Sequence, residues 1–333
     1  MEYRTLGRTG VQVSYLCFGT MSFGSIADEE TSAAMFHRCR DVGINFFDTA
    51  NVYADGRSEE ILGQLISDCR DEIVLTSKVG VPAGKDVNAG GLSRRHIMLA
   101  VEDSLKRLGT DRLDFYFLHK FDSRTPIEET LRALDDLVRQ GKILYPAVSN
   151  WAAWQIAKAL GISAHEGLAR FECIQPMYNL VKRQAEVEIL PLAQAEHVGV
   201  VSYSPLGGGL LAGKYGTTRK PEQGRLVENE MYIKRYGAPV YYEIAERFTA
   251  YAQERGVHPA SLAVAWVMTH PAITAPIIGA RNVEQLEASL AALDVNMTPE
   301  WRAEVSALSV EPPPATDRTE EKSGVFYRGG KSK

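Results

Sequence analysis

The feature that most constrains the fold is a repeated order of segments: a short apolar stretch, a polar turn, then an amphipathic stretch. The order begins with "SYLCFGTM" before "ADEETSAAMFHRCRDVG" and ends with "ITAPIIGA" before "VEQLEASLAAL", and it occurs eight times. Apolar strands that alternate with helices are typical of a parallel sheet buried on both faces. Eight such units in 333 residues favour a closed barrel over an open sheet. We therefore predict an α/β protein with a (β/α)8 TIM barrel.

Two of the predicted helices have recognisable ends. Ser58 is a plausible N-cap of the helix after the second strand, and we expect Ser93 to cap and Gly109 to end the helix after the third.

Three segments fall outside the eight units. "YRTLGRTGVQVSYL" predicts a β-hairpin that plugs the N-terminal face of the barrel, and "TPEWRAEVSALS" predicts an extra helix. The last segment, 311–333, is rich in Pro, Gly and charge, which is typical of a tail. We expect one barrel domain over 1–310 and a tail over 311–333 that is a candidate cover for the substrate pocket.

Composition excludes several classes of protein. An apolar fraction of 45%, a charged fraction of 24% and a net charge of −5 are those of a soluble globular protein without a polybasic surface. No nucleic-acid or membrane partner is therefore expected. The four cysteines lie far apart without a C-x-x-C pair, so neither a disulfide framework nor a metal site is predicted. The polar start "MEYRTLGRTG" lacks a secretory signal, which favours the cytoplasm.

Polar side chains end three consecutive predicted strands. Asp48 ends the second and Tyr53 follows it, Lys78 ends the third, and His119 ends the fourth. Each alone has a mundane explanation, such as a helix cap, packing, or a side chain that reaches solvent. Because active sites of (β/α)8 barrels form at the carboxyl ends of the strands, four such residues together indicate a catalytic site.

The four residues suit the reduction of a carbonyl group. Asp48 can form an ion pair with Lys78, and the Lys78 ammonium beside Tyr53 would lower the pKa of its phenol, which makes it a proton donor near neutral pH. His119 can orient a substrate oxygen by a hydrogen bond. A carbonyl that receives hydride at carbon and a proton at oxygen needs this arrangement.

Specific motifs give the chain a resemblance to a known family. They are "FFDTANVYADGRSEEILG", "VLTSKV", "DFYFLH", "VSNW", "PMYNL", "YSPLGGGLLAGKY" and "IIGARNVEQL". With these, residues 2–310 resemble the aldo-keto reductases, in the bacterial branch that is similar to potassium-channel β subunits. The resemblance implies the same tetrad, Asp48, Tyr53, Lys78 and His119.

A hydride donor is also required, and the sequence lacks a Rossmann site for one. "GGGLLA" fits G-x-G-x-x-A, but the polar segment after it contains no second strand. The resemblance implies instead a nicotinamide cofactor that lies across the barrel mouth. The residues that it assigns to the cofactor are Gly19, Thr20, Met21, Asp48, Ser149, Asn150, Gln175, Tyr203, Ser204, Leu206, Gly208, Lys214, Gly279, Arg281, Asn282 and Gln285.

Among these, Arg281 bears on the choice of cofactor. A guanidinium suits the adenosine 2′-phosphate, so NADPH/NADP+ is favoured and NADH is disfavoured. The alternative is that Arg281 only decorates the start of a helix. Two departures stand out: Ala288–Ser289 replaces Glu-Asn at the expected adenine site, and Pro146 lies inside a central strand, where a bulge is expected.

The expected substrate is a neutral aldehyde or ketone, because the predicted mouth is apolar and aromatic. The residues expected at the substrate are Phe23, Tyr53, His119 and Trp151, with the segment 217–242 and the tail residues Phe326 and Tyr327 as further candidates. The alternative function is a cofactor-binding regulatory subunit with little turnover. A hydrolase is excluded, since G-x-S-x-G is absent. The sequence leaves the particular substrate and the oligomeric state open.

Overall fold

Eight parallel strands close into a barrel. The computed structural model describes residues 1–318. The strands follow one another around the barrel in chain order, and the last pairs with the first. They are Cys17–Gly19 (β3), Phe46–Asp48 (β4), Val74–Val79 (β5), Leu113–Leu118 (β6), Ile143–Ser149 (β7), Cys173–Gln175 (β8), Gly199–Ser202 (β9) and Ala275–Ile278 (β10). The predicted (β/α)8 barrel is confirmed.

A β-hairpin closes the N-terminal end of the barrel, as predicted. Its strands, Tyr3–Thr5 (β1) and Gln12–Ser14 (β2), pair antiparallel. Leu6 and Val13 are fully buried and pack in one cluster with side chains from the barrel interior. The turn comes very close to β9, because a Cβ atom at Gly7 would lie 2.6 Å from the amide nitrogen of Gly199. Glycine, which also takes the positive φ of 58° there, is therefore needed for the hairpin to pack against the end of the barrel.

Helices surround the barrel and bury their apolar faces against it. Every predicted strand is followed by at least one helix, and the predicted extra helix is present as the last of the series. The helices are Glu29–Asp41 (α1), Arg57–Ile66 (α2), Arg94–Leu108 (α3), Ile127–Arg139 (α4), Ala153–Glu166 (α5), Ile189–Ala195 (α6), Arg225–Glu228 (α7), Glu230–Tyr236 (α8), Pro239–Glu254 (α9), Pro259–Met268 (α10), Val283–Leu290 (α11) and Pro299–Ser306 (α12). No helix within residues 1–318 is both long and apolar enough to cross a bilayer.

Helix ends follow the sequence in one case and depart from it in another. Ser93 caps α3 through its hydroxyl, and Gly109 ends the helix in the left-handed conformation, as predicted. The prediction that Ser58 caps α2 is wrong, because Gly56 holds the cap position. The Ser58 hydroxyl is buried and donates instead to the carbonyl of Thr20, 2.8 Å away. It ties the helix to the loop after β3.

The bulge expected at Pro146 is absent. β7 keeps one register with β6 on both sides of the proline, with Tyr145 opposite Phe115 and Ala147 opposite Phe117. The Pro146 carbonyl accepts from the amide of Glu172, so it points toward β8. In a parallel pair, an amide at 146 would face residues that precede Cys173, where β8 has not begun. The proline therefore removes no bond of the sheet.

The segment 217–242, a candidate for contact with the substrate, contains two short helices, α7 and α8. Tyr232 and Tyr236 of α8 are buried against the rest of the protein, which holds this segment beside the glycine loop that follows β9. The expected cover formed by the tail, with Phe326 and Tyr327, lies outside the described residues.

The hairpin plug predicts a loss of stability without a loss of the site. Leu6→Ala should lower the free energy of unfolding by about 2–5 kcal/mol, since it leaves a cavity in the barrel interior. The urea denaturation midpoint measures this. Gln12→Ala, at an exposed position of the same hairpin, is the control and should leave the midpoint nearly unchanged. Equal midpoints for both variants would show that the hairpin does not plug the barrel.

Candidate active site

The four predicted catalytic residues come together at the carboxyl ends of three adjacent strands. Asp48 is the last residue of β4, Lys78 lies near the end of β5, and His119 directly follows β6. Tyr53 begins a 3-10 turn, Tyr53–Gly56, between β4 and α2. These strands are neighbours in the barrel, so the parallel arrangement brings their ends to one edge.

Lys78 and Asp48 form a buried ion pair. The Lys78 side chain is 0% exposed, and its Nζ lies 2.5 Å from Asp48 Oδ2 and 2.7 Å from the Thr49 carbonyl. Burial lowers the pKa of Lys78, but Asp48 and Tyr53 outweigh burial and raise the pKa above its ordinary value. The ammonium therefore keeps its charge inside the protein.

Two neutral side chains complete the contacts of Asp48. Its Oδ1 accepts from Thr76 Oγ1 at 2.8 Å and from Gln175 Nε2 at 2.9 Å. Sequence reasoning missed Thr76, although the period of two along β5 places Thr76 and Lys78 on the same face. It assigned Gln175 to a cofactor, and no local signal links Gln175 to Asp48.

Tyr53 holds its proton at neutral pH. Its hydroxyl lies 3.3 Å from Lys78 Nζ. Burial raises the pKa of Tyr53 above its ordinary value, and the Lys78 ammonium offsets only part of that rise. The expectation that Lys78 lowers the pKa below the ordinary value is therefore wrong for this structure, because it left out desolvation of the phenolate. The Tyr53 hydroxyl can donate a proton, and the Lys78 ammonium beside it stabilises the phenolate that remains.

His119 is neutral at physiological pH. Burial, the Lys78 ammonium and the Lys120 ammonium lower the pKa of His119 to about 3. Its ring meets that of Tyr53 edge to face, with 6.0 Å between the centroids. Its Nδ1 is buried and has no hydrogen-bond partner within residues 1–318. A neutral imidazole beside the phenol can hydrogen-bond a substrate oxygen without competing as an acid.

A cavity of about 200 Å³ lies between the ends of β7, β8 and β9 and the helices α5 and α6. Its lining includes Asn150, Gln175 and Tyr203, together with Trp151, which is 4% exposed. The Tyr203 hydroxyl donates to Asn150 Oδ1 at 2.7 Å, and Asn150 Nδ2 donates to the carbonyl of His119 at 2.9 Å. The cavity is therefore joined to the tetrad by hydrogen bonds.

Other residues assigned to the cofactor differ in their accessibility. Thr20 is fully buried and its hydroxyl is engaged with Ser58, whereas Met21 beside it is 41% exposed. A Cβ atom at Gly19 would lie 2.7 Å from the Ile277 side chain, so this glycine is required by the packing of β3 on β10. The Ser149 hydroxyl donates to the Gln175 carbonyl at 2.8 Å.

The loop after β9 folds back under α8. Gly208, in a 3-10 turn over Gly207–Gly209, has a φ of 69°, and a Cβ atom there would lie 2.7 Å from the Tyr232 ring. Ser204 also has a positive φ, 63°. Leu206 is partly buried, whereas Lys214 is exposed. Sequence reasoning gave Tyr232 no individual role, and no motif marks it.

The predicted adenosine end lies at the start of α11. Asn282 caps this helix by accepting from the amide of Gln285 at 3.0 Å, and Gly279 directly follows β10. Arg281 is partly exposed, and its guanidinium has no ion-pair partner within residues 1–318. Ser289 is 1% exposed, so its side chain is turned away from any ligand at this surface.

Two residues expected at the substrate are placed differently from each other. Phe23 is fully buried against the Phe18 ring and offers no exposed surface, contrary to expectation. Trp151 lines the cavity, and its ring packs edge to face on Phe121 with centroids 4.9 Å apart.

The depressed pKa of His119 predicts how stability depends on pH. Below pH 6.5 the unfolded chain takes up a proton on this histidine, while the folded protein does so only near a pKa of about 3. The stability is therefore fully present above pH 6.5 and is lost as the pH falls toward 3. Burial also lowers the pKa of His270, to about 4, so the wild type carries both contributions.

His119→Gln should flatten this dependence between pH 6.5 and pH 4, measured as the urea midpoint at each pH. His165→Gln, whose side chain is 84% exposed, is the control. Parallel curves for wild type and His119→Gln would contradict the buried neutral imidazole.

Comparison with known proteins identifies the family of the chain. The sequence profile of the Aldo/keto reductase family matches residues 15–309. The chain is 39% identical to an uncharacterised oxidoreductase of Bacillus subtilis (strain 168), over 90% of this chain and 93% of the relative. It is 36% identical to a probable voltage-gated potassium channel subunit beta of Oryza sativa subsp. japonica, over 95% and 99%.

A third relative is named for a reductase activity. The versiconal hemiacetal acetate reductase of Aspergillus parasiticus is 31% identical, over 90% of this chain and 94% of that protein. The family and the names of two of these relatives support an oxidoreductase. From the profile match and these identities, the chain belongs to the aldo/keto reductase family.

Proposed function

We propose that this protein reduces an aldehyde or ketone to the alcohol with NADPH, reversibly, and that Tyr53 supplies the proton. The observation that carries the proposal is the protonated Tyr53 hydroxyl, 3.3 Å from the buried Lys78 ammonium and beside the neutral His119 ring. A proton donor, a cation and a neutral hydrogen-bonding group at one point suit a carbonyl oxygen that gains negative charge.

Each residue of the tetrad has a distinct role in this proposal. Tyr53 donates its proton to the substrate oxygen, and Lys78 stabilises the phenolate that remains. Asp48 holds the ammonium in place, since a lone charge at a fully buried position would be neutralised or expelled. His119 hydrogen-bonds the substrate oxygen and directs it toward the phenol. Because its pKa is about 3, it does not itself deliver the proton near neutral pH.

The residues at the mouth fit a nicotinamide cofactor, which would supply the hydride that amino-acid side chains lack. The supporting observation is that the cavity is lined by two amides and a tyrosine, Asn150, Gln175 and Tyr203, and that both amides hydrogen-bond to residues of the tetrad. Amide groups suit the carboxamide of nicotinamide, and a flat phenol ring suits its face. At the other end, the Arg281 guanidinium has no carboxylate partner within residues 1–318, and its charge suits a phosphate.

The substrate is proposed to be a neutral carbonyl compound. Trp151 and Phe121 pack together next to the cavity, and Tyr232 covers the glycine loop on the other side. Aromatic walls bind apolar surface and exclude water, which strengthens the electrostatic effects at the reacting oxygen. The relative that is named for reduction of a hemiacetal ester agrees with an organic substrate of this class.

Tyr53→Phe should strongly lower turnover and keep cofactor binding. Removal of a general acid lowers kcat by about 100-fold to 10,000-fold, while Tyr53 does not line the cavity proposed for the nicotinamide. Oxidation of NADPH with a panel of aldehydes and ketones measures kcat, and cofactor fluorescence measures Kd. Tyr145→Phe is the matched control, because its hydroxyl bonds the Thr9 carbonyl at the far end of the barrel. Wild-type kcat in Tyr53→Phe would rule out the proposed acid.

Arg281→Met should weaken NADPH binding and leave NADH binding unchanged. Loss of one charge-assisted contact to a phosphate corresponds to roughly 1.5–3 kcal/mol, which is about 10-fold to 100-fold in Kd. The comparison of the two cofactors isolates the 2′-phosphate. Arg95→Met, an exposed arginine of α3, is the control. If wild type binds NADH as tightly as NADPH, Arg281 is not a 2′-phosphate site.

The potassium-channel relatives favour a second candidate, a subunit that holds cofactor and turns over little. The two candidates share the cofactor and differ in turnover. Tight NADPH binding with no reduction of any carbonyl in the panel would select the second one. Rapid NADPH oxidation that depends on Tyr53 would select the reductase.

A further inference from the structure

The carboxylate of Glu59 is completely buried and has no role in the proposed reaction. It lies in the first turn of α2, three residues after the turn that begins with Tyr53, and its exposed fraction is 0%. Glutamate is almost never fully buried unless it is paired, because a desolvated charge is costly. Its surroundings therefore need to supply specific partners.

Two partners from two other elements hold the Glu59 carboxylate. Oε1 accepts from the hydroxyl of Ser77 on β5, and Oε2 accepts from Arg107 Nε on α3 at 2.7 Å. Ser77 directly precedes Lys78, and alternation along the strand puts their side chains on opposite faces. Through Ser77, Glu59 therefore binds β5 on the face toward the helices, next to the point where the Lys78 side chain points into the barrel.

Arg107 also touches the turn that carries Tyr53. A Cβ atom at Gly56 would lie 2.8 Å from Arg107 Cδ and 3.0 Å from its Nε, so the arginine side chain lies directly under the backbone of the turn. Ala54, Asp55 and Gly56 all have positive φ values, 49°, 53° and 95°. Two of them are not glycine, and residues in this region persist only when the surroundings hold them there.

We propose that Glu59 and Arg107 form a positioning pair that sets the Tyr53 hydroxyl against Lys78. The Arg107 side chain packs against the backbone of the strained turn. Glu59 binds the Arg107 guanidinium and, through Ser77, links it to β5. The hydroxyl and Nζ are 3.3 Å apart, near the long end of hydrogen-bond distances, so a small shift of the turn breaks the contact. The inference rests on the proposed role of Tyr53 as the acid.

The kinetic test uses Glu59→Gln, which keeps the size of the side chain and removes the charge. We expect kcat for carbonyl reduction to fall by about 10-fold to 100-fold, as for a small misplacement of a catalytic group. The KM for the carbonyl and the Kd for NADPH should stay within about twofold, because neither partner touches the cavity. Unchanged kcat would overturn the proposal.

Two further variants separate positioning from folding. The double variant Glu59→Gln/Arg107→Met leaves no unpaired buried charge, so it folds where a single change at Arg107 risks misfolding, and it should show the same loss of kcat. Asp114→Asn breaks a similarly buried pair with Arg70, whose side chains are 13% and 14% exposed, at the other end of the barrel. It should lower the melting temperature and leave kcat unchanged. A matching loss of kcat in Asp114→Asn would mean that general destabilisation explains the effect.

Combining Glu59→Gln with Tyr53→Phe tests whether Glu59 acts through Tyr53. Single-turnover rates are measured for Tyr53→Phe with and without Glu59→Gln. If the pair only positions the phenol, Glu59→Gln adds nothing once the hydroxyl is gone. A further drop of tenfold in the double variant would overturn the proposal.

A readout without turnover separates this inference from the proposed function. The Tyr53 ring carbon in ¹³C-tyrosine-labelled protein, assigned with Tyr53→Phe, is titrated by NMR. The groups that face the phenol are Lys78 from β5, Asp48 from β4, His119 after β6 and Tyr232 from α8. In Glu59→Gln, the phenol of Tyr53 should move away from the Lys78 ammonium, which should raise the pKa of Tyr53. Such a rise in a protein that reduces no carbonyl would uphold positioning and refute the acid role, whereas identical titrations would refute positioning.

Discussion

The buried ion pair between Lys78 and Asp48 is the interaction on which the site depends. Both charges lie inside the barrel, and each has further hydrogen bonds, to Thr49 on one side and to Thr76 and Gln175 on the other. Loss of one partner from such a pair typically costs about 3–5 kcal/mol, since the other is left charged and desolvated. The pair therefore joins the stability of the barrel mouth to the charge that Tyr53 needs.

Burial has the largest effect on the charge of the other two residues of the tetrad. It raises the pKa of Tyr53 and lowers that of His119, so both side chains are neutral near pH 7. The Lys78 ammonium is held beside the hydroxyl from which a proton would leave. In the proposed reaction, charge develops on the substrate oxygen and on the phenol, and the site has its fixed positive charge next to both. The same desolvation makes each change of charge in this region costly to the fold.

Much of the architecture could be predicted from the sequence, because it depends on local patterns. The eight strand–helix units, the hairpin, the extra helix after β10 and the ends of α3 at Ser93 and Gly109 follow from apolar periodicity and turn residues. The candidate tetrad followed from one rule, that parallel strands of a barrel present their carboxyl ends at the same edge. The predicted cap of α2 and the predicted bulge at Pro146 were wrong, because the Ser58 hydroxyl bonds the loop after β3 and Pro146 keeps β7 in register with β6.

By itself, the sequence determined the order of elements and which side chains stand at the strand ends, since both depend on residues close together in the chain. Only the tertiary structure decided the direction of the Tyr53 pKa, the burial of Phe23, and the contact between Asp48 and Gln175, which are 127 residues apart. It also decided the bond between Glu59 and Arg107 and the packing of Arg107 against the turn that begins with Tyr53. The physical reason is that desolvation and long-range hydrogen bonds depend on what covers a side chain, and in this barrel the covering residues come from distant strands and helices.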